Sequence, residues 1–249
     1  MKKIIYLLIV LLTLAGCTTV TNEIQPSNDT QPPKVEPSGT CVNDDKIHDV
    51  IPAVPNTDTF AEFTMDNQDM LYEEVGYIDP GMLVLLGVDI PDVTFDAYGG
   101  ETVNTKDLEG KPYIIEFMAP WCGHCQDTAK NLVEDIKKSL PDVDYLQVFY
   151  DTNSDTEVNE FYAGLELPVP TDEKLVFCND DFTSFLKSAK ITSIPSFIFV
   201  DACGRVGFVN IGAPSLEDVV KYYNYIANKP AIYSLEMQDG HTLYDYLRP

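Results

Sequence analysis

The chain is 249 residues long and 45% hydrophobic, with 40 aspartates and glutamates against 16 lysines and arginines and a formal net charge of −24. That length is ample for one compact domain with extensions. So acidic a surface repels nucleic-acid phosphates and anionic lipid headgroups, which excludes nucleic acid as a partner, while six cysteines direct attention to thiol chemistry.

At the start, Lys2 and Lys3 precede an apolar run from Ile4 to Leu14 that is too short to span a bilayer comfortably. Leu14-Ala-Gly-Cys17 then resembles the lipobox of bacterial lipoproteins. The resemblance implies removal of residues 1–16, lipidation of Cys17 as the new N-terminus, and an extracytoplasmic body held to the membrane by lipid. An ordinary signal peptide or a retained anchor also places the body outside the cytoplasm. Residues 17–40 are rich in Thr, Pro, Asn, Gln and Ser without apolar periodicity, as expected of a disordered tether. Residues 41–87 form an N-terminal extension without a motif; Phe60, Phe63, Met65 and Leu71 are available for packing, and Cys41 sits in a polar context.

From residue 88 the pattern tightens into a strand around Ile90–Asp96, a turn at Gly99-Gly100 and a second strand, which together predict a β-hairpin. Tyr113-Ile-Ile-Glu-Phe-Met118 reads as a strand buried on both faces, interrupted only by Glu116. A carboxylate inside such a run is costly unless it has a task. After Cys122 the apolar residues Ala129, Leu132, Val133, Ile136 and Leu140 recur at helical spacing until Pro141. Cys122 therefore stands at a helix N-terminus, with Cys125 in the first turn.

Free N–H groups and the positive end of the helix dipole stabilise a thiolate at that position, and the thiolate is the reactive form of cysteine. Two intervening residues put Cys125 within reach to resolve a mixed disulfide on Cys122. His124 adds positive charge near the thiolate and favours the dithiol form. Glu116, six residues before Cys122, is placed to lie beneath the pair and move protons to and from Cys125. A structural zinc site also uses Cys-x-x-Cys, but it needs a second ligand pair at matching spacing, and the sequence has none.

Glu116-Phe-Met-Ala-Pro-Trp-Cys-Gly-His-Cys125 resembles the thioredoxin superfamily, and in particular the active-site sequence of protein disulfide isomerase domains. The resemblance implies that Trp121 packs beside the cysteine pair and limits water access, with Gly123 completing the motif.

Further along, Asp144–Tyr150 is the next strand, which makes the cysteine-bearing helix a βαβ crossover. Residues 151–180 exceed a normal connection and contain a short helix at 157–164 followed by extended structure. A brief helix at 182–190 leads to Ile194-Pro195 and the strand Phe197–Val200; a turn at 201–204 and a return strand to Ile211 follow. Ser215 caps a last helix whose apolar face is Leu216, Val219, Val220, Tyr223 and Ile226. This order resembles that of extracytoplasmic, membrane-anchored thioredoxin-like proteins of the TlpA type.

The implied fold is α/β and thioredoxin-like: a central mixed sheet flanked by helices, with an N-terminal β-hairpin and a central insert, over residues 88–227. Residues 228–249 are a C-terminal extension. In such a fold Ile194 and a cis Pro195 face the cysteine pair and shape the substrate groove, and the insert varies with the partner.

The function implied is thiol–disulfide exchange on extracytoplasmic protein dithiols and disulfides. Two sulfurs carry the electrons without an organic cofactor or metal, recharged by a membrane thiol carrier. The Gly123-His124 dipeptide leans towards an oxidase or isomerase, and the TlpA-like architecture towards a reductase, which is slightly favoured. A non-enzymatic binding lipoprotein and a thiol peroxidase are the rival classes; the second usually has a Pro-x-x-x-Thr-x-x-Cys setting that Ala119-Pro-Trp-Cys122 lacks. Of the remaining cysteines, Cys41, Cys178 and Cys203, a Cys178–Cys203 bridge is conceivable but disfavoured, because the two lie in distant parts of the implied fold.

Overall fold

The apolar run at 113–118 becomes the middle strand of a five-stranded sheet in a computed structural model that describes Met82 and residues 85–228. The leader, Cys17, the tether, Cys41, most of the 41–87 extension and the tail beyond Asn228 lie outside the described residues.

Strands β1 (Thr94–Asp96) and β2 (Thr102–Asn104) form the antiparallel hairpin. Its turn uses Gly99 and Gly100, both at positive φ (85° and 81°), a conformation that a side chain would strain. The main sheet holds β3 (Tyr113–Met118), β4 (Asp144–Phe149), β5 (Lys174–Phe177), β6 (Ser196–Val200) and β7 (Val206–Ile211) in the order β5-β4-β3-β6-β7. The β3–β4 and β4–β5 pairs are parallel, and the β3–β6 and β6–β7 pairs are antiparallel. The helices are α1 (Gly123–Asn131), α2 (Val133–Ser139), α3 (Asp155–Gly164), α4 (Asp180–Ser188) and α5 (Leu216–Asn228).

Strand alternation divides the core in two. Tyr113, Ile115 and Phe117 point to the face covered by the hairpin and by Phe182 and Leu186 of α4. Ile114 and Met118, and by the same alternation Glu116, point to the opposite face. There Ile136 of α2 and Tyr222 and Ile226 of α5 pack around Ile114, while Cys125, Ala129, Val158 and Phe161 pack around Met118. Tyr222 stacks on Phe208 and meets Phe199 edge-on, which fixes α5 over β6 and β7.

One feature departs from the sequence reading, and two add detail to it. The helix expected to run unbroken to residue 140 is interrupted at Leu132, whose φ of −113° separates α1 from α2. Just before the interruption, Thr128 Oγ1 donates to the His124 carbonyl and Asn131 Nδ2 to the Asp127 carbonyl, both at 3.0 Å. Side chains competing for carbonyls one turn back are a known cause of helix bending. The insert carries the expected short helix and extended structure, which here become a crossover, α3, and an edge strand, β5. A reciprocal cap starts α3, with Ser154 Oγ accepting from Glu157 N while Glu157 Oε2 accepts from Ser154 Oγ and Asn153 N. Finally, packing begins ahead of residue 88, because Leu85 and Leu86 are core residues and Gly87 N donates to Val206 O at 2.7 Å.

Candidate active site

Strand β3 delivers the chain through Ala119-Pro-Trp to Cys122, the N-cap of α1. Its backbone is extended (φ −84°, ψ 113°), and its sulfur accepts the N–H of Cys125 at 3.2 Å. Gln126 closes the cap from the other side by donating Nε2 to the Pro120 carbonyl at 2.8 Å. Cys122 and Cys125 form a disulfide with their Cα atoms 5.2 Å apart. The two cysteines are unequal: the Cys122 residue keeps 8% exposure, whereas Cys125 has none. A partner thiol arriving from solvent can therefore reach only Cys122.

The Ile194–Pro195 peptide is cis, and the Ile194 carbonyl oxygen lies 3.8 Å from Cys122 Sγ. The structure thus brings Ile194 and Pro195 to the reactive sulfur. Trp121 corrects the expectation that it packs beside the pair and keeps water out, since it is 62% exposed. It offers apolar surface instead, and so does Tyr150, 41% exposed, whose ring meets Phe117 edge-on. His124 and Gly123 are also exposed, and a Cβ at Gly123 would meet open space. Packing therefore does not demand glycine there.

Glu116 is fully buried on the face of β3 that also carries Met118, which packs with Cys125. Its Oε2 accepts from Tyr145 Oη and Gln147 Nε2, each at 2.9 Å, and Gln147 Oε1 accepts from Tyr162 Oη at 2.5 Å. Oε1 of Glu116 has no hydrogen-bond partner among the described residues. Burial pushes its carboxyl up to about 7; the bonds from Gln147 and Tyr145 oppose that rise, and the Glu173 carboxylate adds to it. A buried acid that ionises near neutrality, with neutral donors as its hydrogen-bond partners, can both give and take a proton under ordinary conditions.

Tyr145, Gln147 and Tyr162 were not singled out from the sequence. A signal was present at Gln147, a polar residue between Leu146 and Val148 in a strand otherwise buried and apolar.

Cys178 and Cys203 are not joined to each other: Cys178 carries a free thiol and Cys203 is disulfide-bonded. Cys178 lies beside Thr183, and burial pushes its thiol up, with the Thr183 contact opposing. Among the described residues, no group of three His, Cys, Asp or Glu side chains could hold a metal ion, and no helix is long and apolar enough to cross a membrane.

The chain belongs to the Redoxin family, whose model matches residues 85–226, more than half of its length. Its fold is thioredoxin-like, with the central mixed sheet flanked by helices and the two-stranded hairpin described above. A protein disulfide-isomerase of Zea mays is 31% identical over 94 residues, which cover 34% of this chain and 18% of that protein. A thioredoxin of Geodia cydonium is 43% identical over 51 residues, covering 20% of this chain and 47% of that one. The chain thus spans less than half the length of these curated relatives. Among solved structures, the exposed lipoprotein thioredoxin of Streptococcus pneumoniae has a TM-score of 0.45 at 20% identity, over 54% of this chain and 98% of that one. A thiol:disulfide interchange protein of Chlorobium tepidum has a TM-score of 0.45 at 19% identity, over 56% and 95%.

Proposed function

We propose that this Redoxin-family chain is a thiol–disulfide oxidoreductase that acts on protein disulfides outside the cytoplasm, with the reductase reading favoured slightly over an oxidase or isomerase. The observation that carries the reading is the unequal pair: one reachable sulfur at a helix N-terminus, bonded to one fully buried sulfur above a strand that holds a buried acid.

In the reducing direction the Cys122 thiolate, stabilised by the Cys125 N–H and the end of α1, attacks a substrate disulfide. One substrate sulfur leaves as a thiolate and a mixed disulfide forms on Cys122. Cys125 then loses its proton to the Glu116 carboxylate and attacks Cys122 Sγ. The second substrate sulfur leaves, and the Cys122–Cys125 bond stores the two electrons' worth of oxidation. Ile194 and Pro195 position the substrate backbone beside Cys122, Trp121 supplies apolar contact, and His124 tunes the potential. No organic cofactor enters the cycle. A membrane thiol carrier returns the pair to the dithiol, and lipid on Cys17 keeps the domain close to that carrier.

The Gly123-His124 dipeptide favours the opposite direction, as an oxidase or isomerase. The reduction potential of the pair in thiol redox buffers separates the two. A value near about −270 mV supports the reductase, and one near about −180 to −120 mV the oxidase or isomerase. A protein whose exchange activity survives Cys122→Ser is a binding module instead, and the whole proposal fails.

A further inference from the structure

A cavity of about 420 Å³ opens between the end of α1 with α2 and the loop that follows α3. Val133 and Lys137 of α2 line one wall, and Leu167, Pro168 and Glu173 of the loop line the other. Gln147 and Tyr162 reach it from β4 and α3. Those two side chains are the outer links of the hydrogen-bond chain that ends on Glu116. Glu116 is fully buried, but its hydrogen-bond partner Gln147 lies in the wall of this opening.

Glu173 is fixed at one oxygen and free at the other. Lys137 donates to Oε1 at 3.2 Å and also pairs with Asp172, while Glu173 Oε2 is buried without a partner among the described residues. The side chain is only 3% exposed. A buried carboxylate oxygen left unpaired is costly to keep, and protonation is one way to relieve that cost.

We infer that this cavity is the route by which Glu116 exchanges its proton with solvent, with Gln147 as the inner gate and Glu173 as the positioning residue at the outer wall. The inference rests on the oxidoreductase reading. In that cycle Cys125 must give up a proton while a substrate covers Cys122, so the groove is closed when proton exchange is needed. The proton passes from the Cys125 thiol to the Glu116 carboxylate, leaving a thiolate. It moves on to cavity water when the Gln147 amide turns aside, and then to the Glu173 carboxylate, from which it is lost to bulk solvent. No electron moves in these transfers. The titratable groups around Glu116 are Tyr145 from β4 and Tyr162 from α3, then Lys137 from α2 with Asp172 and Glu173 from the loop. Cys125 of α1 joins them once reduced, and β6 opposes Glu116 with Phe197, which does not titrate.

The test uses the full chain as wild type, Glu173→Gln, Glu173→Asp, Glu116→Gln and the double variant E116Q/E173Q. The Glu116 carboxyl band, assigned by its absence in Glu116→Gln, is titrated by infrared spectroscopy in the oxidised protein. Turnover of a disulfide peptide is followed against pH in parallel. Glu173→Gln is expected to move both the band midpoint and the turnover limb to lower pH, because a negative charge across the cavity is lost. Its slowed turnover is expected to recover with added formate, a small acid that fits the cavity. Glu173→Asp should keep the wild-type midpoint, and the double variant should behave as Glu116→Gln alone. Should Glu173→Gln not fold, Lys137→Gln must move the midpoint upward. An unmoved band, or an effect of Glu173→Gln that persists in the Glu116→Gln background, overturns the proposed route. Turnover that survives Cys122→Ser removes the oxidoreductase reading instead, and the infrared midpoint then decides the Glu173 coupling by itself.

Discussion

Replacing Glu116 with glutamine should change how stability depends on pH more than it changes stability itself. The folded chain holds the Glu116 proton up to about 7, whereas an unfolded chain releases it near 4.5. The fold therefore binds this proton more tightly than the unfolded chain does. The associated stability is complete below 4.5 and is lost as the pH rises through about 7. At about 1.4 kcal/mol for each pK unit, the loss comes to about 3 kcal/mol. Glutamine keeps an oxygen to accept from Tyr145 Oη and Gln147 Nε2, and it carries no titrating proton. Its amide N–H groups occupy the site where Oε1 has no partner, which adds a cost independent of pH. Urea denaturation of both proteins with the disulfide intact, at about pH 4 and about pH 8, isolates the effect because all other groups cancel. The wild-type-minus-mutant stability should fall by about 3 kcal/mol from the lower pH to the higher. A difference that stays constant between the two would refute the burial argument and, with it, Glu116 as a proton store near neutrality.

Other expectations test separate parts of the structure. Cys125→Ser should accumulate a mixed disulfide with substrate that mass spectrometry detects, because the resolving sulfur is gone while Cys122 remains reachable; absence of the adduct would count against the assigned order of attack. Gly207→Ala places a Cβ 2.5 Å from Ile226 Cγ2 and 3.4 Å from the Phe199 carbonyl, so it should cost about 1–3 kcal/mol in denaturant unfolding. Ile226→Leu removes that methyl and should recover part of the loss. Asp201 accepts from Cys203 N, Arg205 N and Arg205 Nε in the buried β6–β7 turn, and Asp201→Ala should cost about 3 kcal/mol by the same assay. In the reduced protein, iodoacetamide should label Cys122 well before Cys178, whose thiol is pushed up by burial; equal labelling would contradict its placement.

The parts of the site readable from sequence were those fixed by local pattern. An apolar run ending in Cys-x-x-Cys, with helical spacing beyond it, places β3 and α1 without any distant contact. Glu116 could be singled out because a carboxylate in that run has no cheap explanation. The Ile194–Pro195 element was legible only through resemblance to a known family, since Ile194 meets Cys122 from 72 positions away. The interruption at Leu132 follows side-chain bonds by Thr128 and Asn131 to carbonyls one turn back, and hydrophobic periodicity does not register them. Strand β5 was legible only as extended structure because four residues are too few for a period, and β4 beside it makes it a strand. Glu173 was invisible for a similar reason: a glutamate in an irregular loop becomes informative only once Lys137 and the cavity are seen next to it.

The surroundings of Glu116 separate a structural acid from a working one. An acid kept for stability would meet a cation, or would be replaced by an apolar residue that packs as well. Glu116 meets neither fate: its hydrogen bonds come from a neutral hydroxyl and a neutral amide, and Lys137 is engaged by Asp172 and Glu173. A lysine at the Gln147 position, directly opposite in the sheet, would pair with the carboxylate and hold it ionised. The Gln147 amide gives it one hydrogen bond and leaves it able to reprotonate. The fold therefore retains a group that costs about 3 kcal/mol when ionised, in a place where a leucine would cost nothing of the kind. That cost is intelligible if the proton on Glu116 is exchanged in every cycle, and a titration midpoint near neutrality is what such exchange requires.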